Sequence, residues 1–252
     1  MTHTASPIID ISEVQTGVLQ IRMQDYQHKN LFTHDMSRAL IEAFNTVSAD
    51  STCKAVILTG FDTYFATGGT QEDLLMLQEG HASFSDNNIY ALALECPVPV
   101  ISAMQGHGIG GGFVMGLFAD FVILSRESIY TTNFMKYGFT PGMGATMIVP
   151  NKLGAYLGNE MLTLAKRYRG EELKQRGVPF PVYQRAEVLP KAIEIACELA
   201  EKPRISLIKL KDQLTRTLRK ELPVYIEQEV AMHAETFRQQ EVKENIERLF
   251  GR

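Results

Sequence analysis

The clearest chemistry in the sequence lies in two glycine-rich segments. One is Tyr64-Phe65-Ala66-Thr67-Gly68-Gly69-Thr70. The other is Gly106-His107-Gly108-Ile109-Gly110-Gly111-Gly112-Phe113. Each comes after an apolar run that reads as a buried strand. The triple glycine leads into the apolar helical run Phe113–Phe118. A loop entering a helix there presents unpaired backbone N–H groups and favours an anion. A nucleotide phosphate loop does not fit, because no GxxxxGK[ST] occurs and no lysine follows the triple glycine. Close helix–strand packing is the plainer use of such glycines. Taken together, however, each segment can offer one N–H to a single oxygen. Two such donors make an oxyanion hole for a carbonyl on its way to an enolate.

The side chains that could serve such a site are few. Ile226, Val230, His233 and Phe237 recur at helical spacing, which puts His233 inside the apolar stripe of a helix. A histidine there is commonly a satisfied core residue, but its ordinary pKa also suits proton transfer near neutral pH. Between Thr70 and Cys96 there is no lysine or arginine, and His81 is the basic side chain of that stretch; its plain reading is a solvated loop residue. His107 reads as a packing residue beside the glycine turn. Asn133, Phe134, Lys136 and Tyr137 form a segment expected to approach a bound ligand. Lys29 is a reasonable contact for a phosphate, or simply exposed. Cys53, Cys96 and Cys197 are odd in number and widely spaced. They read as buried free thiols, with no Cys/His cluster for a metal.

The elements that must hold these residues follow from periodicity. Strands are expected at Val18–Met23, Lys54–Gly60, Val98–Met104 and Phe121–Ser125. An amphipathic helix is expected over Ser37–Ser48. Apolar strands separated by helical segments imply a largely parallel α/β sheet. Beyond Asn151 the pattern turns helical, at Pro190–Leu199, Leu207–Leu218, Val224–Gln239 and Glu241–Phe250. The expected plan is a core over residues 1–190 and a helical region over 191–252. A net charge of −4 argues against nucleic-acid binding as the default. Met1–Asp10 lacks a signal-peptide pattern and no apolar run is long enough to span a membrane, so a cytoplasmic location is expected.

The segments FATGGT, PVPVISAMQGHGIGGGF and ADFVILSRESIYTTNFMKYGFTPGMGAT, in that order and spacing, resemble the core signature of the crotonase (enoyl-CoA hydratase/isomerase) superfamily. The resemblance runs from about Val18 to about Gly177. It implies a ββα spiral core with a helical C-terminal trimerisation region, assembled as a homotrimer or a dimer of trimers. It also implies that the N–H groups of Gly69 and Gly111 are the oxyanion donors, with Gly68 and Gly110 shaping the loops. Hydratases of this family use two glutamates. Their positions are Val114 and Phe134 here, and neither can act as acid or base; both are expected to line a dry acyl pocket. NFMKYGFTPGMGAT, RGEELKQRGVPFPV and the histidine of the C-terminal helix are similar to the decarboxylases of polyketide β-branching, over nearly the whole chain. That likeness implies conversion of a 3-methylglutaconyl thioester to 3-methylcrotonyl on an acyl carrier protein, with no cofactor beyond the substrate's own phosphopantetheine arm and no metal. Lys29 is then the expected contact for the arm's phosphate, and His233 the expected catalytic histidine. The family's lysine is missing: Ser83 falls nearest to its position and His81 lies two residues away, so His81 is carried as a replacement candidate. An acyl-CoA isomerase or hydrolase, and an inactive acyl-binding homologue, stay open. Carrier proteins are usually acidic, so a basic patch is expected. Arg204, Lys209, Lys211, Arg216, Arg219 and Lys220 are the densest basic region, though a solvated helix face explains them as well.

Overall fold

The computed structural model describes residues 8–81 and 88–250. Ten strands, ten α-helices and one 3-10 helix, Asn133–Lys136, are found among them, and their order explains the fold. The larger sheet runs β1 (Ile9–Gln15), β2 (Val18–Met23), β3 (Ala55–Thr59), β5 (Val100–Met104), β7 (Phe121–Ser125) and β10 (Val182–Tyr183). Only the β1–β2 pair in it is antiparallel. The smaller sheet runs β4 (Tyr64–Ala66), β6 (His107–Ile109), β8 (Ile129–Thr131) and β9 (Tyr168–Arg169). The chain therefore places one strand in the large sheet, the next in the small sheet, and then a helix, and repeats this at β3/β4, β5/β6 and β7/β8. This is a ββα spiral. Its corners are tight: a Cβ on Gly106 would come within 2.3 Å of the Tyr64 nitrogen, so the turn from β5 into β6 admits only glycine.

The helices are α1 (His34–Ala49), α2 (Gln71–Gln78), α3 (Leu92–Glu95), α4 (Gly111–Leu117), α5 (Ala145–Leu153), α6 (Ala155–Leu164), α7 (Gly170–Gln175), α8 (Arg185–Ala200), α9 (Arg204–Thr236) and α10 (Gln240–Leu249). β3 and β5 are buried along their whole length, as central parallel strands covered on both faces must be. Val188, Ala192 and Ala196 of α8 pack on one face of that sheet with Val18, Ile57, Ile101 and Ile123. A boundary at residue 190 therefore cuts a helix that belongs to the core, and the helical region begins instead at α9, after Pro203. The two helices expected at Leu207–Leu218 and Val224–Gln239 are one continuous helix despite Pro223. A proline removes one intrahelical hydrogen bond, but α9 is anchored on both sides of it. Before it, Lys211 bonds Asp120 Oδ2 (2.7 Å), Ala93 O (2.8 Å) and Val98 O (3.0 Å). After it, Glu229 binds the loop ahead of α5. No helix among the described residues is long and apolar enough to cross a membrane. Cys53 and Cys96 are buried; Cys197 is only partly so and contacts Gln15 Oε1.

Candidate active site

A cleft of about 460 Å³ opens where the small sheet meets the two glycine loops. Tyr64 of β4, His107 and Ile109 of β6, and Ile129 and Thr131 of β8 line it, with Gly68, Gly69, Gly110 and Gly111 beside them. The opposite wall is Asn133, Phe134, Lys136, Tyr137, Phe139 and Met143.

The glycine loops reach this place through specific bonds. Asn30, fully buried at φ +55°, donates to Met23 O and Phe65 O. Phe32 N–H donates to Gly68 O at 2.7 Å. Gly68 has φ +82°, and a Cβ there would lie 3.4 Å from the Gly111 nitrogen, so the two loops are in contact. Gly110 adopts φ +55° and ψ −124°, a conformation essentially reserved for glycine, and Asn133 Oδ1 packs against its Cα. This turn starts α4 and leaves Gly111 at its first position, where an amide has no intrahelical partner. Among the described residues, the N–H of neither Gly69 nor Gly111 donates to a protein acceptor. Two adjacent donors at the edge of a cleft are what a developing oxyanion requires.

No aspartate or glutamate lines the cleft among the described residues, whereas His28, Lys29, His107, Lys136 and Arg167 do. Such a lining attracts an anionic ligand. Lys29 Nζ stands 5.4 Å above the Tyr64 ring. Lys136 is held below the ordinary lysine range by burial and then by the Arg167 charge. His107 Nδ1 accepts the Ile129 N–H at 2.9 Å, so its proton resides on Nε2. Burial, then the charges of Arg185 and Arg169, lower its pKa and keep the ring neutral.

Five expected ligand-binding residues, Lys29, Gly68, Gly110, Asn133 and Phe134, line the cleft, as do Gly69 and Gly111. Val114 does not. It is fully buried in the main core. His81 is not brought to the cleft either. Its side chain is 69% exposed, 3.6 Å from Glu79, just past the end of α2. Ser83 lies outside the described residues. His233 is buried on α9, but behind the cleft wall. Its Nε2 lies 2.9 Å from Thr140 O and 3.1 Å from Pro141 O. Both partners only accept, so Nε2 carries the proton. Burial lowers the His233 pKa, partly offset by these carbonyls. Only part of the basic region on α9 faces outward: Lys211 is buried, Arg204 bonds Cys53 O, and Arg219 bonds Leu94 O and Asp212, while Lys209, Arg216 and Lys220 are exposed. His28, Arg167, Phe139 and Met143 escaped the sequence reading. Met143 alone had a local signal, as a large residue between glycines in PGMGAT.

Residues 13–250 match the family model for enoyl-CoA hydratase/isomerase, and the chain belongs to that family. Within the family, the bacillaene synthase decarboxylase PksI of Bacillus subtilis (strain 168) is 59% identical over the full length of both proteins. A solved structure of a dehydratase/decarboxylase enzyme couple involved in polyketide β-branching is also 59% identical, with a TM-score of 0.96 over 97% of this chain and all of that one. The ECH2 decarboxylase domain of CurF from Lyngbya majuscula is 40% identical, with a TM-score of 0.92 over 96% of this chain and 99% of that one. Likeness of this extent makes the chain a carboxy-lyase of the polyketide β-branching type.

Proposed function

We propose that the chain decarboxylates a 3-methylglutaconyl thioester carried on the phosphopantetheine arm of an acyl carrier protein, giving the 3-methylcrotonyl thioester. The observation that carries this reading is the pairing of the Gly69 and Gly111 donors with a cleft that, among the described residues, holds no carboxylate. The family's two acid/base positions are Val114 and Phe134, so water addition has no catalyst. In decarboxylation the bond to the terminal carboxylate breaks. Its electron pair moves through the conjugated system onto the thioester oxygen, where the two N–H groups receive the charge. Carbon dioxide leaves, and one proton added to the γ carbon restores the α,β double bond.

Phe134 and Phe139 supply a dry wall to the acyl end. Lys136 and Arg167 offer positive charge within the same cleft, suited to holding the substrate carboxylate until it departs. Lys29 is assigned to the arm's phosphate, and His233 to proton delivery as the imidazolium, whose second proton, taken up from solvent on Nδ1, goes to the γ carbon while Nε2–H stays on the loop carbonyls. His81 has no role in this scheme. No cofactor beyond the arm is required. Assembly into a homotrimer or a dimer of trimers is part of the proposal. Ile205, Leu210, Leu214, Val224 and Met232, all exposed on α9, support it.

The test is mass spectrometry of a carrier protein loaded with the 3-methylglutaconyl thioester. Loss of one CO2 with wild type, much slower with His233→Ala, supports both the reaction and the histidine. Equal loss by both proteins removes His233 from the mechanism. No loss by either sinks the decarboxylation. Faster turnover of the free coenzyme A thioester than of the carrier-bound one overturns the carrier-protein assignment.

A further inference from the structure

The loop Thr140–Thr146 runs between the cleft and α9, and α9 holds it at both ends. His233 Nε2–H bonds the carbonyls of Thr140 and Pro141. Glu229 accepts from Gly144 N–H (2.7 Å), Thr146 N–H (2.8 Å) and the Thr146 hydroxyl (2.6 Å). Met143, in the middle, takes part in none of these bonds. It adopts φ +64°, a left-handed conformation that a residue with a side chain rarely takes.

That conformation aims the thioether at the oxyanion site. Met143 Sδ lies 2.5 Å from where a Cβ on Gly111 would stand, so it covers the Cα of one of the two donor residues. Met143 also lines a second, narrow crevice behind the cleft, with Gly142, Ile226, Glu229, Val230 and His233. The crevice has no room for a water-sized sphere. Among the described residues, the same side chain thus stands between the Gly111 donor and the crevice that His233 lines. Methionine is unbranched, with three rotatable bonds, and moves more readily than any other apolar residue of its size.

We propose that Met143 is a positioning residue, a movable partition. In the arrangement seen, it closes His233 off from the cleft. Rotated away by a bound acyl group, it joins crevice to cleft and brings the reacting carbons in front of His233. This rests on the assignment of His233 to proton delivery, but its test does not require turnover.

The readout is hydrogen–deuterium exchange at the imidazole Cε1 carbon of His233, followed by mass spectrometry. It is compared in wild type, Met143→Gly and Met143→Leu. Glycine suits φ +64° and removes the partition without backbone strain; leucine keeps an apolar wall should the glycine variant fold poorly. Exchange is expected to be ~10-fold faster in Met143→Gly than in wild type, as for a group moved from a closed crevice toward solvent, and slow again in Met143→Leu. Adding 3-methylglutaryl pantetheine should raise the wild-type rate toward that of Met143→Gly; this saturated analogue lacks the double bond needed to take up electrons. Equal rates in wild type and Met143→Gly would overturn the proposal, as would a wild-type rate unmoved by saturating analogue. If wild type releases no CO2 from the true substrate while the exchange difference persists, the decarboxylase reading fails and the partition stands.

Discussion

Substituting Gly112 by alanine tests whether the contact between the two glycine loops sets the rate. A Cβ on Gly112 would lie 2.2 Å from Ala66 O and 2.5 Å from the Ala66 carbonyl carbon. Both are backbone atoms, so no side chain can swing aside. The loop bearing Gly69 and the helix beginning at Gly111 must separate by about 1 Å, and misplacement on that scale costs roughly 10²-fold in rate. That is about 2.7 kcal/mol of transition-state stabilisation, comparable to deleting one oxyanion donor. The loss should fall on kcat with little change in KM, because the charge these donors meet develops only in the transition state. Gly69→Ala is the control, since its Cβ would meet nothing within 4 Å, and it should retain most of the activity. The assay is steady-state CO2 release from the carrier-bound thioester, with thermal unfolding to establish that each variant folds. A folded Gly112→Ala enzyme with wild-type kcat would refute the reasoning. So would equal losses in both variants.

Lys211→Ala should destabilise the protein by about 3–5 kcal/mol, since it strands Asp120 and two buried carbonyls; urea denaturation reads this directly. Asn30→Ala removes the donor to Met23 O and Phe65 O and the acceptor for Asp25 N–H, and should cost about 1–3 kcal/mol per buried group left unsatisfied, seen in the urea midpoint. His107 has a folded pKa below its ordinary 6.5. The unfolded chain therefore binds more protons as pH falls below that value, and stability present above it is lost on acidification. His107→Gln, which can still accept the Ile129 N–H, should flatten the stability change between pH 7.5 and the acid side, measured by denaturation at each pH. Lys29→Ala should raise KM for the carrier-bound thioester by up to about tenfold, ~1.4 kcal/mol, with kcat nearly unchanged.

Much of the site was legible along the chain because its donors are backbone groups. Gly68 and Gly110, at φ +82° and +55°, make turns that favour glycine and so place the Gly69 and Gly111 donors, and glycine runs are visible without a fold. The central strands β3, β5 and β7 were legible for a similar reason: burial on both faces leaves a continuous apolar run. Strands of two or three residues such as β6 and β9 have no period to read and exist because a neighbouring strand completes their hydrogen bonds. Pro223 marked a break that tertiary anchoring overrode.

The sequence by itself determined the alternation of strand and helix, the glycine donors, and the absence of glutamate at residues 114 and 134. Only the tertiary structure decided which side chains share the donors' space. Val114 was expected in the pocket and sits in the main core. His81 stays at the surface beside Glu79. Arg167, far along the chain from Lys29, comes to the same cleft because antiparallel pairing of β9 with β8 carries it there. His233 and Gly111 are brought to the two sides of Met143 by α9 lying against the loop of residues 140–146. Spacing along a chain encodes the face of an element, but the distance between two elements is set by what fills the space between them.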